Sequence, residues 1–379
     1  QEVFFSPFLR YKPDAYGQYS IVVIVQDDRQ VCAFSSFEFI VTGNKPYLGT
    51  REKFGSRLDI LDKNLFSHRS EIRADQALEI SQNKGKGVII AVIDSGVNYN
   101  HPAQINNIWL NKKEVANNNI DDDNNGKIDD LIGYDFVNDD AFPFDDQGHG
   151  SHVSGLIASE YFGIAPHSLI MPLKALSPKG GDIGSIVGAI YYAVDQGAHI
   201  LNLSLGSYGP PHPHLVEAIN YAESKNVLVV AASGNGDPNS GAGLDTDKFP
   251  NFPSAFDNKN IISVAAKDSQ HLLAPYSNYG MNSVDIAAPG GNPPDELLNS
   301  CFLENPSNIL FTGMAGTSMA APLVSGTLAL MLSDSPKLSI DEVKNILLTS
   351  GRVAPGLEKL TVSGRYLDTL EALKKSQVY

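Results

Sequence analysis

From residue 87 onward the apolar residues fall into short continuous runs, and most runs are followed by a stretch with helical spacing. Residues 88–93 read Val-Ile-Ile-Ala-Val-Ile without a polar break. A run of that length and composition is a strand buried on both faces, the habit of parallel sheets. Residues 200–203, 227–232 and 261–265 repeat the pattern, and residues 185–194 and 215–222 carry helical spacing between them. Strand and helix in alternation predict an α/β fold, a doubly wound, mostly parallel sheet with helices on both faces. Toward the C-terminus the segment 320–332 predicts a buried helix of about three turns. Pro322 falls in its first turn, where a missing N–H costs least. Ser339 and Glu342 form a capping box that opens a helix to about residue 348. Further helices are predicted over residues 71–78, 153–158 and 367–375.

Residues 1–45 are patterned differently. Tyr19, Ile21, Val23 and Val25 occupy alternate positions in a run that stops at Asp27-Asp28, and residues 37–42 make a second run that stops at Gly43-Asn44-Lys45-Pro46. Both read as strands closed by turn residues, a hairpin. The chain therefore divides into a small N-terminal β segment, 1–45, and a main domain, 46–379, with an acidic insertion at 110–147. The string Gly17-x-Tyr19-x-Ile21-x-Val23-x-Val25-x-Asp27 resembles the penultimate strand of an immunoglobulin- or cadherin-like module. Such a sandwich takes about 100 residues, so either the front of the module is missing, or these strands pack on the main domain, or the segment is a pro-segment remnant.

Composition narrows the function. An apolar content of 42% with 33 Gly and 22 Pro suits a loop-rich α/β protein. The net charge of −15 argues against nucleic acid and against an anionic membrane surface. It fits an extracellular protein or one that binds cations. No apolar run approaches the roughly 18 residues that span a membrane, so no membrane insertion is expected. Cys32 and Cys301 leave a disulfide or free thiols open. The chain starts at Gln1, without Met or signal peptide, and is read as a processed form.

Four residues carry candidate chemistry. Ser318 lies just ahead of the predicted helix 320–332. There free backbone N–H groups and the positive end of the helix dipole favour a developing negative charge. Asp94 ends the strand 88–93, at the edge where open α/β sheets collect ligand-handling residues. His149 stands between Gly148 and Gly150, which let a partner approach closely. Asn235 follows the strand 227–232 in a Ser233-Gly234-Asn235-Gly236 turn that can aim its amide inward. Taken singly, Ser318 and Asp94 read as helix caps and a lone histidine as structural. Together a carboxylate, an imidazole and a hydroxyl form a set for nucleophilic catalysis, in the chain order Asp…His…Ser.

The local motifs sharpen this. Asp94-Ser95-Gly96, His149-Gly150-Ser151-His152-Val153, Ser233-Gly234-Asn235 and Gly316-Thr317-Ser318-Met319-Ala320-Ala321-Pro322 resemble, in this order, those of subtilisin-family (subtilase) serine proteases. The likeness spans about residues 70–375. It implies that Ser318 attacks the scissile carbonyl and that His149 takes its proton. Asp94 then fixes the imidazole, while Asn235 and the Ser318 N–H bind the oxyanion. The same resemblance places substrate along Ser204-Leu205-Gly206 and Lys179-Gly180-Gly181, with Ser233 and Gly234 beside the first specificity pocket and its floor near Gly234 and Asn251. Glycines there leave backbone groups open to pair with an extended peptide.

Departures from the family pattern matter too. Many subtilases hold calcium with an Asp nine residues after the catalytic Asp, where this chain has Ala103. The loop that completes that site, 158–163, is short, so that site is expected to be absent. Ser151 replaces the usual Thr and Ser233 the usual Ala. The acidic insertion supplies another calcium candidate. Asp121, Asp123, Asn125 and Asp129 stand at positions 1, 3, 5 and 9 of an EF-hand-like loop, with Gly126 at 6 and the Lys127 carbonyl at 7. The Glu expected at 12 is replaced by Ile132, so Asp129 or Asp130 completes the set. Ten Asp fall within residues 121–146 with Lys127 as the one basic residue, a density that repels itself without a cation.

The reading is therefore a secreted or cell-surface, Ca2+-stabilised serine endopeptidase acting on polypeptide substrates as a monomer. A pro-segment inhibitor removed on maturation is the further partner implied. The alternative is a catalytically inactive subtilase-fold binding protein. A carboxyl peptidase of the acidic class would lack His149 and carry Asp in place of Asn235, and a lipase would show Gly-x-Ser-x-Gly around its serine.

Overall fold

The uninterrupted run at 88–93 becomes the centre of the sheet. The computed structural model describes residues 18–26, 32–40, 67–101, 103–115, 118–293, 298–301 and 311–378. In chain order the strands are β1 (Gln18–Gln26), β2 (Cys32–Ile40), β3 (Ile89–Asp94), β4 (Tyr134–Asp135), β5 (Leu169–Lys174), β6 (Leu176–Ser177), β7 (Gly180–Gly181), β8 (Ile200–Leu203), β9 (Ser207–Tyr208), β10 (Leu228–Ala232), β11 (Asn251–Phe252), β12 (Ile261–Lys267), β13 (Ile286–Pro289), β14 (Leu298–Cys301), β15 (Phe311–Met314), β16 (Arg352–Val353) and β17 (Arg365–Tyr366). The helices are α1 (His68–Glu71), α2 (Ala74–Ile80), α3 (His149–Ala158), α4 (Ile183–Asp195), α5 (Pro213–Ser224), α6 (Thr317–Asp334), α7 (Ile340–Ser350) and α8 (Thr369–Ser376). The chain divides into two compact units, Asn64–Leu110 with Ile132–Tyr379, and Gln1–Lys63 with Asn111–Leu131.

In the first unit nine strands lie in the order β16-β17-β13-β12-β10-β8-β3-β5-β4, parallel throughout except for β16. The expected mostly parallel α/β sheet is what the chain builds. Strand order reverses at β3: β5 lies on one side of it and β8 returns to the other. Side chains alternate across a strand, and that alternation sorts the sheet's two faces. Ala91, Ile93, Leu201, Leu203, Val229 and Ala231 join one buried cluster with Ala189, Ile190 and Ala193 of α4 and Ala218 and Ile219 of α5. Asp94 and Asn202 occupy the intervening positions and so face the other side, where α3 and α6 pack.

The second unit contains the hairpin predicted for the N-terminal segment. β1 and β2 pair antiparallel from Gln18–Ile40 to Gln26–Cys32, so the second strand starts earlier than the run at 37–42 suggested. The rest of residues 1–45 lies outside the described residues. Cys301 is a buried free thiol.

Several elements differ from expectation. The helix predicted at 71–78 is two short ones, α1 and α2, separated at Arg73, whose φ of 56° breaks the helical path. α3 begins at His149 instead of Val153, and α6 begins at Thr317 instead of Ala320. Pro322 therefore lies inside α6 and not in its first turn. Its missing N–H leaves the Ser318 carbonyl without the usual donor four residues on. The Ser204 hydroxyl supplies that donor at 2.9 Å.

β5 went unread because Pro172 sits in its middle, and a proline argues against a central strand. The sheet accommodates it through alternation. The Ile170 and Lys174 carbonyls accept from Trp109 and Phe136, on the outer side of β5. Pro172 lies between them and faces the same way, so its missing donor falls outward and the β3 pairing is intact. Gly133 passes directly over that point with φ 120°, where a Cβ would stand 2.0 Å from the Pro172 carbonyl oxygen. Gly87 shares a positive φ, 86°, but a Cβ there would meet nothing within 4 Å. Gly133→Ala is expected to lower the unfolding free energy by about 3 kcal/mol, and Gly87→Ala, which carries only backbone strain, by about 1 kcal/mol. Denaturant unfolding of the two variants measures the difference, and equal losses would contradict the close contact.

Candidate active site

Asp94 is fully buried at the C-terminal end of β3, at the reversal of strand order. Its Oδ1 accepts from the Ser95 N–H at 2.7 Å and lies 2.7 Å from His149 Nδ1. A carboxylate only accepts, so Nδ1 carries the proton and Nε2 is left as the acceptor. Asp94 Oδ2 is buried and has no hydrogen-bonding partner among the described residues. His149 is the first residue of α3, with its side chain 30% exposed. What permits the approach of helix to strand is Gly150, where a Cβ would stand 2.0 Å from the Gly96 carbonyl oxygen and 3.2 Å from Asp94 Cβ.

Burial pulls the His149 pKa down, but the charge and hydrogen bond of Asp94, with the charge of Asp145, outweigh it and leave the pKa above the ordinary imidazole value. His152, three residues on, goes the other way. Burial drives its pKa down to about 4, against the carbonyl hydrogen bonds that raise it. Its Nε2 lies 2.8 Å from the Leu298 carbonyl and 3.2 Å from that of Thr312, so it is a neutral donor that ties the β14–β15 hairpin to α3.

Ser318 is the second residue of α6, half-buried, and by position its N–H has no partner within the helix. Its Oγ donates to the Ser204 carbonyl at 3.1 Å, while Ser204 Oγ donates to the Ser318 carbonyl. Behind them Ser325 Oγ donates to Asn202 Oδ1 at 2.8 Å, and Asn202 Nδ2 donates to Ser204 Oγ at 3.0 Å. A buried chain of hydrogen bonds thus runs from α6 through β8 to the serine. Sequence reasoning missed Asn202, whose only signal is an amide inside an apolar strand.

Asn235 is exposed, and its amide orientation is settled by its partner. The Thr317 N–H donates to it at 2.9 Å, so the accepting atom is Oδ1 and Nδ2 points the other way. Thr317 Oγ1 donates to the same oxygen and accepts from the Gly234 N–H, locking the 233–236 turn to the start of α6. A Cβ on Gly316 would stand 3.4 Å from Asn235 Nδ2 and 3.6 Å from the Ser318 nitrogen. The Asn235 amide, whose Oδ1 is also 3.6 Å from that position, and the Ser318 nitrogen therefore lie close to one point beside the serine, a point left open because residue 316 is glycine.

The expected substrate edges have these places. Lys179, Gly180 and Gly181 are exposed, with the two glycines pairing antiparallel to β6. Ser204 is buried, Leu205 half-buried and Gly206 exposed. A Cβ on Gly206 would stand 2.4 Å from Asn251 Nδ2, and one on Gly234 would stand 3.0 Å from the same atom. Asn251 Nδ2 donates to the carbonyl of buried Ser233 at 3.1 Å, so its amide joins the 204–206 and 233–234 segments.

In the second unit the acidic loop is closed by the Asn111 N–H donating to the Leu131 carbonyl. Carboxylate oxygens of Glu114, Asp123 and Asp130 lie within 4.8 Å of one another. Burial, then the charges of Asp130 and Asp123, push the Glu114 carboxyl above its ordinary range despite the backbone N–H groups it accepts. Like charges crowded in this way suit a hard dication with oxygen ligands. The other expected ligands are engaged locally. Asp121 accepts from the Asn125 and Gly126 N–H groups, and Asp129 from those of Asn118 and Asn119. Asn125 Oδ1 accepts from the Lys127 N–H, and Nδ2 donates to Asp130. Glu114 was not foreseen, since it precedes the loop and no ligand spacing marks it.

Comparisons with known proteins agree with this geometry. The sequence pattern of the subtilase family matches residues 85–366. A subtilisin-like protease 1 of Plasmodium berghei (strain Anka) is 32% identical over 324 residues, covering 80% of this chain and 52% of that protein. A thermophilic serine proteinase of Bacillus sp. (strain AK1) is 36% identical over 267 residues, covering 68% of this chain and 55% of that protein. The chain thus spans about half the length of these two relatives. A crystal structure of a lanthipeptide protease superposes with a TM-score of 0.68 at 26% identity, covering 84% of this chain and 97% of that one. A sheet with its strand order reversing at Asp94, two helices that start at His149 and Thr317, and a pattern match over most of the chain place this protein in the subtilase family of serine proteases.

Proposed function

We propose that this chain is a serine endopeptidase that cuts polypeptides through an acyl-enzyme. The observation that carries the reading is the nearness of the Asn235 amide nitrogen and the Ser318 nitrogen to one open point beside the serine, where both can donate. Donors placed in advance where an oxyanion forms are the largest single contribution to acyl transfer. Ser318 Oγ turns from the Ser204 carbonyl toward His149 Nε2 and attacks the scissile carbonyl carbon. The hydroxyl proton passes to Nε2, and the carbonyl electron pair moves onto the oxygen held by the two donors. Collapse of the intermediate breaks the C–N bond, and Nε2 returns the proton to the leaving amine. Water then repeats both steps and frees Ser318. Asp94 stabilises the imidazolium formed midway, which gives its buried charge a partner.

An extended substrate fits between the 179–181 and 204–206 edges, with the side chain before the cut toward Gly234 and Asn251. Calcium is proposed in the acidic loop, held by Glu114, Asp123 and Asp130, with Asp121, Asn125, Asp129 and the Lys127 carbonyl as the wider ligand field. It would supply charge neutralisation and loop order and take no part in the reaction. A secreted or surface location is consistent with this need for calcium and with the net charge of −15. Among the described residues no helix is long and apolar enough to cross a membrane. Monomeric action, a removable pro-segment, and a domain boundary near residue 45 complete the proposal.

Ser318→Ala is expected to lower hydrolysis of dye-labelled casein by at least about a thousandfold while leaving the circular dichroism spectrum unchanged. Reaction of the wild-type chain with an organofluorophosphonate should label Ser318. Casein hydrolysis unaffected by the substitution, or a folded wild type that takes no label, would overturn the assignment, and the second result would favour an inactive binding protein.

Calcium at about one hundred times its Kd should stabilise the fold by about 2.7 kcal/mol. A chelator should therefore lower the melting temperature and increase self-digestion near residues 117–130. Asp123→Ala with Asp130→Ala should reproduce the chelator effect and abolish any further response to it. A melting temperature indifferent to chelator would contradict the site.

A further inference from the structure

One buried carboxylate beside the candidate triad has no role in the steps above. Asp145 is fully buried in the turn that leads into α3. Its oxygens accept five hydrogen bonds: from Ser95 Oγ at 2.8 Å, the Gln147 and Gly148 N–H groups at 2.9 Å, the Ser151 N–H at 2.8 Å and Ser151 Oγ at 2.6 Å. Of the five donors only the Ser151 N–H is a backbone group of α3, so the side chain does more than cap the helix.

The partners show what the side chain connects. Ser95 is the residue after Asp94, and its N–H donates to Asp94 Oδ1. Its hydroxyl also accepts from the Gly150 N–H at 3.0 Å, next to His149. Gly148, Gly150 and Ser151 surround His149 at the start of α3. Asp145 therefore grips both sides of the strand–helix junction, one through Ser95 and the other directly. We infer that Asp145 is a positioning residue for the proposed reaction, holding the Asp94 turn and the His149 turn together and offsetting the positive end of α3 beside the imidazole.

Electrostatics give the second half of that role. A histidine in the first turn of a helix feels the positive end of the dipole, which disfavours imidazolium. Imidazolium is the species the reaction must form. Asp145 occupies the N–H groups of Gly148 and Ser151 and, when ionised, places a negative charge nearby; burial raises its own carboxyl above the ordinary range, against the hydrogen bonds that lower it. Its charge acts to raise the His149 pKa, after the effects of burial and Asp94. Other ionisable groups at the junction do not substitute for it. Lys174 Nζ is bound to the Ser95 carbonyl at 2.9 Å and to Asp146 at 2.8 Å, and His152 is neutral. Asp146, unlike Asp145, is exposed.

The inference rests on the triad reading, so the test separates the two. Wild type, Asp145→Asn and Ser95→Ala are titrated with an organofluorophosphonate, and kcat/KM on dye-labelled casein is expressed per labelled site across pH. Asp145→Asn preserves shape but removes the charge and an acceptor. It should lower plateau kcat/KM by about ten- to a hundredfold and move the acid limb to lower pH, because His149 loses a stabiliser of its cation. Ser95→Ala cuts the link from Asp145 to the Asp94 turn and also frees the Gly150 N–H, but leaves the Asp145 charge in place. It should lower the rate per site while the acid limb stays, since the Asp145 charge remains. If Asp145→Asn does not fold, Ser95→Ala alone decides: wild-type turnover per site would overturn the bridge. Asp145→Asn that only melts earlier, with unchanged rate per site and unchanged acid limb, would reduce Asp145 to a structural cap. A wild type that takes no label would remove the triad reading itself.

Discussion

The hydrogen bond between Asp94 and His149 spans the gap between a sheet and a helix, and the site depends on closing that gap to 2.7 Å. An isolated buried carboxylate is costly, and Oδ2 of Asp94 has no partner among the described residues to reduce the cost. The protein accepts this where the imidazole gives the charge a use. Everything nearby serves the approach. Alternation along β3 turns Asp94 toward α3, Gly150 lets the helix backbone meet Gly96, and Asp145 ties the two turns through Ser95.

A second junction carries Ser318, the proposed nucleophile. Pro322 inside α6 removes one intrahelical bond, and the Ser204 hydroxyl takes the freed Ser318 carbonyl. That hydroxyl is itself held by Asn202, an amide on the α3–α6 side of β8. The irregularity in α6 thereby couples Ser318 to the sheet. Thr317 couples the same helix start to Asn235 and Gly234. Exposure rises along the set, from fully buried Asp94 through half-buried His149 and Ser318 to exposed Asn235. In the proposed mechanism the charge that must stay fixed is inside, and the groups that would meet a substrate are outside.

Much of this was legible in the residues. Continuous apolar runs gave β3, β8, β10 and β12, because a strand buried on both faces cannot hide its composition. The four motifs located Asp94, His149, Asn235 and Ser318. What stayed hidden depends on which residues the folded chain brings together. Pro172 masked β5 because tolerance of a proline there depends on which side Trp109 and Phe136 bond. Pro322 was read as a first-turn proline because the helix start at Thr317 is set by contacts with Asn235. Glu114 could not be paired with Asp123 and Asp130 by loop spacing, and Asp145 was one Asp among ten.

In the proposed mechanism the charge of Asp94 keeps the His149 cation favourable despite burial. Nitrogen-15 NMR titration of the histidines in Ser318→Ala, where self-digestion is stopped, measures this directly. His149 should titrate above the ordinary imidazole value of about 6.5, and adding Asp94→Asn should drop it below that value, since burial then acts without its counterweight. A His149 pKa at or below the ordinary value with Asp94 present, or one that does not move when the carboxylate is removed, would contradict it.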